Sequence, residues 1–151
     1  MSNENDTQRT NKPARTFELY KTMCLIRAFE ERSEDEFDAG FINGSIHQYI
    51  GEEAIGTGVC VNLRDTDYIL SNHRGHGHSI AKGADPESMM KELMGRVGGT
   101  SGAKGGSMHI ADFSVGMLGA NGVLADGLTM GVGAAQAICL RGVDAIVTVF
   151  V

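Results

Sequence analysis

Residues 145–151 (Ala-Ile-Val-Thr-Val-Phe-Val) constrain the fold more than any other stretch. A nearly unbroken apolar, β-branched run reads as a parallel strand buried on both faces, and such a strand needs helices on each side of its sheet. The rest of the chain supplies them. Residues 15–39 predict a long helix, with Phe17, Tyr20, Cys24 and Phe29 near helical spacing and Gly40 placed to end it. Residues 52–61 resume a helical pattern in which Gly56 and Gly58 allow close packing. Residues 68–70 predict a short strand, followed by a polar loop over residues 71–77. Asp85-Pro86-Glu87 starts another helix, with a capping carboxylate, proline at the first position and an acid in the first turn; it runs to Gly95. Residues 98–126 read as one long glycine-rich loop. Residues 128–140 predict a helix ended by Gly142, in which Gly131, Gly133 and neighbouring alanines permit close approach to a sheet. Strands alternating with helices indicate an α/β domain over residues 15–151, preceded by a polar, disordered tail at residues 1–14.

Composition narrows the function. A net charge of −6 argues against a nucleic-acid binder. Residues 71–110 stand out, holding five of the thirteen Lys and Arg, three of the nineteen acids and four of the five histidines. Glycine, 21 residues in all, is about double its ordinary ~7%, and it concentrates from this block onward. That pairing suits a small anionic ligand better than a long polyanion. The acidic run at Glu30, Glu31 and residues 34–38 reads as a solvated helix face. Cys24, Cys60 and Cys139 form no CxxC pair, which fits a reducing cytoplasm better than a disulfide framework or a zinc ribbon. No stretch approaches the ~18 apolar residues of a membrane span, and the polar first residues make no signal peptide.

The sharp nucleotide and hydrolase motifs are missing: there is no Walker A, HExxH, EF-hand loop or GxSxG elbow, and Gly131-Val132-Gly133 lacks the third glycine of a dinucleotide fingerprint. Three weaker clusters remain. His73-Arg74-Gly75-His76-Gly77-His78 follows a predicted strand's carboxyl end, where open α/β sheets bind ligands, and an arginine fork there can grip phosphate oxygens. A histidine metal site and a solvated loop are open alternatives. Lys104-Gly105-Gly106-Ser107-Met108-His109 closes a glycine-rich stretch on a histidine flanked by apolar residues, which a plain linker has no need of. His47, ahead of Gly51-Glu52-Glu53-Ala54, is the third candidate; its plain reading is a satisfied structural histidine.

Together these segments resemble the alpha subunit of the thiamine-diphosphate-dependent first component of 2-oxo acid and acetoin dehydrogenase complexes, in its N-terminal part. The markers occur in family order: Leu25-Ile26-Arg27-Ala28-Phe29-Glu30-Glu31, then His47 with Gly51-Glu52-Glu53-Ala54, then Arg74-Gly75-His76-Gly77, Gly105-Gly106-Ser107-Met108-His109, and Gly119-Ala120-Asn121-Gly122. Met108-His109-Ile110-Ala111-Asp112 looks closest to the acetoin branch.

The resemblance implies a thiamine-diphosphate-binding fold, a parallel sheet flanked by helices, of which the C-terminal part is not included. It implies cofactor contacts from Arg74 and His73 to the diphosphate and from the backbone of Gly122 and Leu124 to the aminopyrimidine, with His47 and His76 as active-site histidines. Gly105, Gly106, Ser107 and His109 would line the entrance. Many relatives have tyrosine where His73 stands, and Asp126 puts a carboxylate where relatives are commonly uncharged. The Mg²⁺ ligands, a Gly-Asp-Gly segment and a later asparagine, are expected beyond Val151, so the chain by itself is expected to be inactive. Implied partners are a beta subunit in an α2β2 assembly, a lipoyl-bearing acyltransferase that accepts the fragment, and a substrate among acetoin, pyruvate and branched-chain 2-oxo acids. Two competing expectations are a non-catalytic assembly module that binds no cofactor unaided, and a metal-binding module built on His73, His76 and His78.

Overall fold

A computed structural model describes the backbone of residues 12–151 and the side chains of residues 15–151. The elements run α1 (Lys12–Asp38), α2 (Glu53–Cys60), β1 (Tyr68–Ser71), α3 (His76–Lys82), α4 (Pro86–Leu93), β2 (Met117–Ala120), α5 (Asp126–Arg141) and β3 (Val147–Val149). The strands form one parallel sheet in the order β2-β1-β3. This is the expected α/β arrangement. The expected tail lies outside the described residues up to position 11, and residues 12–14 are already helical.

Helix ends follow the local chemistry. Gly40, at φ +80°, lets the Phe41 N–H reach Glu36 O and the Gly40 N–H reach Phe37 O, both at 2.9 Å, which closes α1. Gly142 closes α5 in the same way. Asp85 caps α4 by accepting the Ser88 N–H at 2.9 Å and the Ser88 O–H at 2.7 Å.

Successive side chains of the central strand leave opposite faces. Ile69 joins a core with Ile26 and Phe29 of α1, Ile80 of α3, Met89 and Leu93 of α4, Tyr49 and Ile110. Leu70 faces α5 instead, where a Cβ on Gly131 would lie 2.5 Å from Val149 Cγ2 and 3.7 Å from Leu70 Cδ1. The small-residue reading of α5 therefore holds at Gly131, but a Cβ on Gly133 would meet nothing within 4 Å. The same split separates Gly56, packed on Tyr49 and His78, from Gly58, which faces open space.

Several expectations are corrected. The apolar residues Phe17, Tyr20 and Cys24 of α1 are exposed, and the buried stripe is Ile26, Phe29, Glu30 and Ser33. Glu30, 0% exposed, is thus not part of a solvated face. The loop after β1 is shorter than expected because His76 already starts α3. Residues 98–126 contain β2, a four-residue strand with no β-branched residue and a glycine at its third position, so its sequence carries little strand signal. Finally, among the described residues β3 pairs with β1 alone and is half-buried: Val149 packs on α5 and Phe150 on His78, while Ile146 and Val151 are exposed.

Candidate functional site

The candidate residues gather where β1 and β2 end. Gly75 makes this possible: a Cβ there would lie 2.6 Å from Ala120 Cβ and 3.2 Å from Ile110 Cγ2, so the turn after β1 packs directly on the end of β2. Asn121 N–H then donates to Ser71 O at 3.1 Å, tying the two strand ends together.

His47 and His73 meet edge to face, with ring centroids 5.4 Å apart. The Nδ1 atom of each is buried without a hydrogen-bond partner, an unusual state for a buried polar atom. Burial, then the neighbouring His73, Arg74 and His76, hold the His47 ring below the ordinary histidine range and so neutral. Arg74 is half-buried beside them; its Nη1 donates to Gln48 O and its backbone N–H to Asn72 Oδ1 at 2.9 Å. Two imidazoles and a guanidinium thus share one wall, and that donor set suits an anionic group.

His76 is placed differently. It is fully buried on α3, with Nδ1 3.0 and 3.1 Å from the Glu30 carboxylate oxygens and Nε2 3.1 Å from Ser107 Oγ. The tautomer that satisfies every atom has Nδ1–H donating to Glu30 and Nε2 accepting the Ser107 hydroxyl. Ser107 Oγ in turn accepts the His47 N–H at 3.2 Å. Carboxylate, imidazole and hydroxyl stand in the order of a hydrolase triad. Ser107 is nevertheless buried, and its oxygen is already shared between two partners, so the array joins α1, α3, the glycine-rich loop and His47 instead of exposing a nucleophile.

His78 is also committed. Its Nδ1 lies 2.7 Å from Ser71 Oγ and its Nε2 2.9 Å from Tyr49 Oη, and Phe150 stacks on the ring at 3.6 Å. Burial pushes its pKa down to about 3. With both nitrogens of His76 and His78 occupied, the metal module loses two of its three ligands, and no group of three His, Cys, Asp or Glu among the described residues could hold a metal.

The glycine-rich loop completes the wall. His109 and Met108 approach Gly122, whose Cβ would lie 3.6 Å from His109 Cε1 and 3.7 Å from Met108 Sδ. Gly105 and Gly106 form the turn before Ser107, and Gly105 N–H donates to Glu92 at 2.8 Å. The Leu124 side chain is 66% exposed on the turn into α5. Asp126 accepts the Asn121 side-chain amide at 2.6 Å. Sequence reasoning missed the two buried carboxylates that organise the cluster, Glu30 and Glu92. Both could have been found: Glu30 lies one turn from Ile26 on the apolar stripe of α1, and Glu92 sits between Met89 and Leu93 on that of α4.

Residues 20–151 match the dehydrogenase E1 component family. The chain is 55% identical over 124 residues to the alpha subunit of acetoin:2,6-dichlorophenolindophenol oxidoreductase from Cupriavidus necator, covering 82% of this chain and 37% of that protein. Its counterpart in Bacillus subtilis is 50% identical, over 78% of this chain and 35% of that one. The alpha subunit of the pyruvate dehydrogenase E1 component from Rhizobium meliloti is 40% identical, over 83% and 36% respectively. The chain thus spans little more than a third of the length of these relatives. No helix among the described residues is long and apolar enough to cross a membrane. With the match running through every element from α1 to β3, the chain belongs to the dehydrogenase E1 component family.

Proposed function

We propose that this chain is the N-terminal part of an E1 alpha subunit that binds thiamine diphosphate at the wall formed by His47, His73 and Arg74. The observation that carries this reading is the pair of buried, unpartnered Nδ1 atoms on His47 and His73 beside the Arg74 guanidinium. Arg74 and His73 would hold the diphosphate, and the backbone of Gly122 and Leu124 would meet the aminopyrimidine. When bound, thiamine diphosphate supplies a carbanion and an electron sink for cleaving a C–C bond next to a carbonyl.

The chain's own residues orient and enclose. His47, neutral and at the wall, is the group of this chain that can hold or pass a proton near the substrate. His76 touches neither cofactor nor substrate in this reading and acts through Ser107 to fix His47. Gly105, Gly106, Ser107 and His109 border the entrance and exclude water. The Mg²⁺ ligands are assigned to the part of the relatives' length that this chain does not span. The complete protein works with a beta subunit, in an α2β2 assembly, and passes its fragment to a lipoyl group on an acyltransferase. We place it in the cytoplasm, in keeping with three unpaired cysteines.

Acetoin is the first substrate to test, because the relatives at 55% and 50% identity carry acetoin in their names. Turnover by the full-length alpha and beta subunits, with acetoin, pyruvate and a branched-chain 2-oxo acid offered in turn, decides it. Acetoin is expected to be cleaved fastest. No thiamine diphosphate binding by calorimetry and no turnover of any of the three would end this reading.

A further inference from the structure

We propose that Glu92 is the positioning residue for the glycine-rich wall: its carboxylate takes the backbone N–H groups that such a loop would otherwise offer to a ligand phosphate. Oε2 accepts Ser101 N–H at 2.9 Å and Ala103 N–H at 2.7 Å, and Oε1 accepts Gly105 N–H at 2.8 Å. Alternate amides of one loop therefore curl around a single anion, which is the geometry of an anion-binding nest. Here the anion belongs to the protein, and Glu92 is 1% exposed.

Three further observations support the assignment. Glu92 is the penultimate residue of α4, where the helix dipole disfavours a negative charge, so its position makes sense only through the three amides. Gly99 has to be glycine, since a Cβ there would lie 2.4 Å from Glu92 Oε2 and 2.8 Å from Glu92 Cα. Ala103 is held at φ +61°, a left-handed backbone that alanine adopts only under constraint, and its N–H makes the shortest of the three bonds.

What Glu92 anchors is the start of the segment whose end makes the site. Two residues beyond Gly105, Ser107 reaches His76 and the His47 N–H, and His109 then approaches Gly122. Met89 and Leu93 are core residues that fix α4 beneath it. The loop is thus pinned at one end by a carboxylate and at the other by a hydroxyl. Phosphate recognition falls to Arg74 and His73 instead of to these amides.

The test uses the full-length alpha subunit assembled with its beta subunit, as wild type, Glu92→Gln and Glu92→Asp. Glu92→Gln keeps the shape but turns one acceptor into a donor facing N–H groups. Without cofactor, trypsin should cut Glu92→Gln after Lys104 about tenfold faster than wild type, while the melting midpoint of the assembly falls by only a few degrees. At saturating cofactor its kcat should fall about tenfold with KM changed far less, and Glu92→Asp, which keeps the charge, should recover part of both losses. If Glu92→Gln does not assemble, amide exchange on the wild type decides: Ser101, Ala103 and Gly105 should exchange more slowly than Lys104. Cleavage at the wild-type rate, faster cleavage with unchanged kcat, or free exchange of those three amides would overturn the assignment. Only the kinetic arm rests on the proposed function. An assembly that turns over none of the substrates sinks that reading and leaves the cleavage and exchange arms intact.

Discussion

At Glu92 burial alone would raise the carboxyl pKa, but hydrogen bonds from Gly105, Ser101 and Ala103 outweigh it and hold the group down at about 2. At His47 burial has no such opponent, and the neighbouring His73, Arg74 and His76 push the same way. Its folded pKa therefore lies below the unfolded 6.5, and the neutral ring persists as pH falls until that lower value is reached. Without cofactor the His47 ring should accordingly titrate below pH 6.5, which NMR of its imidazole protons checks. His47→Ala should lower turnover far more than it weakens cofactor affinity; a variant with normal turnover would make His47 purely structural. Arg74→Ala should weaken thiamine diphosphate binding by about 1.5–3 kcal/mol, the range for a hydrogen bond to a charged group. Calorimetry on the assembled subunits measures this, and an unchanged affinity removes Arg74 from the site.

Elements in this molecule are set by what they touch across the chain. Helix α3 is a short segment whose first three residues, His76, Gly77 and His78, are all buried. Gly77 is where Tyr49 crosses it: a Cβ there would lie 2.0 Å from Tyr49 Cδ1, inside the ring's contact distance. Gly77→Ala should therefore destabilise the fold by about 3 kcal/mol through overpacking, although alanine favours helix over glycine by about 1 kcal/mol. Urea unfolding checks the sign, because a neutral or stabilising substitution would mean that Tyr49 can move aside. Helix α1 shows the limit of periodicity. Residues 15–39 read correctly as helix, but its buried face carries Glu30, which meets His76 of α3, and Ser33, whose hydroxyl donates to Glu30 O at 2.9 Å, so counting apolar residues selects the wrong side.

One buried acid ties the start of β1 to the start of β3. Asp67, 2% exposed, accepts Arg64 N–H at 2.8 Å, the Arg64 guanidinium at 3.0 and 3.3 Å, and Ile146 N–H at 3.0 Å. It sits at the start of β1, and its own carbonyl lies 2.6 Å from where Gly116 would carry a Cβ, just ahead of β2. Asp67 thereby aligns the leading ends of β1 and β3. Burial opposes its ionisation, but the Arg64 side chain, the Arg64 and Ile146 amides and the Arg64 charge prevail and keep its pKa low. Asp67→Ala should cost about 2–3 kcal/mol, less than a fully buried pair because Arg64 is half exposed. Chemical unfolding measures it, and a loss well under 1 kcal/mol would show that the strands align without it.

The sequence by itself determined what is local or additive. It set the α/β alternation, the glycine stops of α1 and α5, the Asp85 cap of α4 and the order of markers that places the chain in its family. Each of these depends on residues within a few positions of one another, where backbone sterics and hydrogen bonding act directly. Tertiary structure alone decided which histidines are spoken for. In His73-Arg74-Gly75-His76-Gly77-His78, adjacent imidazoles differ only in what faces them. Once α3 begins at His76, residues two apart point roughly 200° apart on the helix. His76 then meets Glu30, 46 residues earlier, and Ser107, 31 residues later. His78 meets Tyr49 and Phe150, and His73, ahead of the helix, turns toward His47 with its Nδ1 unpartnered. The same holds for β2, which is a strand because β1 pairs with it, and for Glu92, whose three partners come from a loop closing back on α4. Separations of that size carry no local signal, since burial and pairing arise only when the chain has brought those groups together.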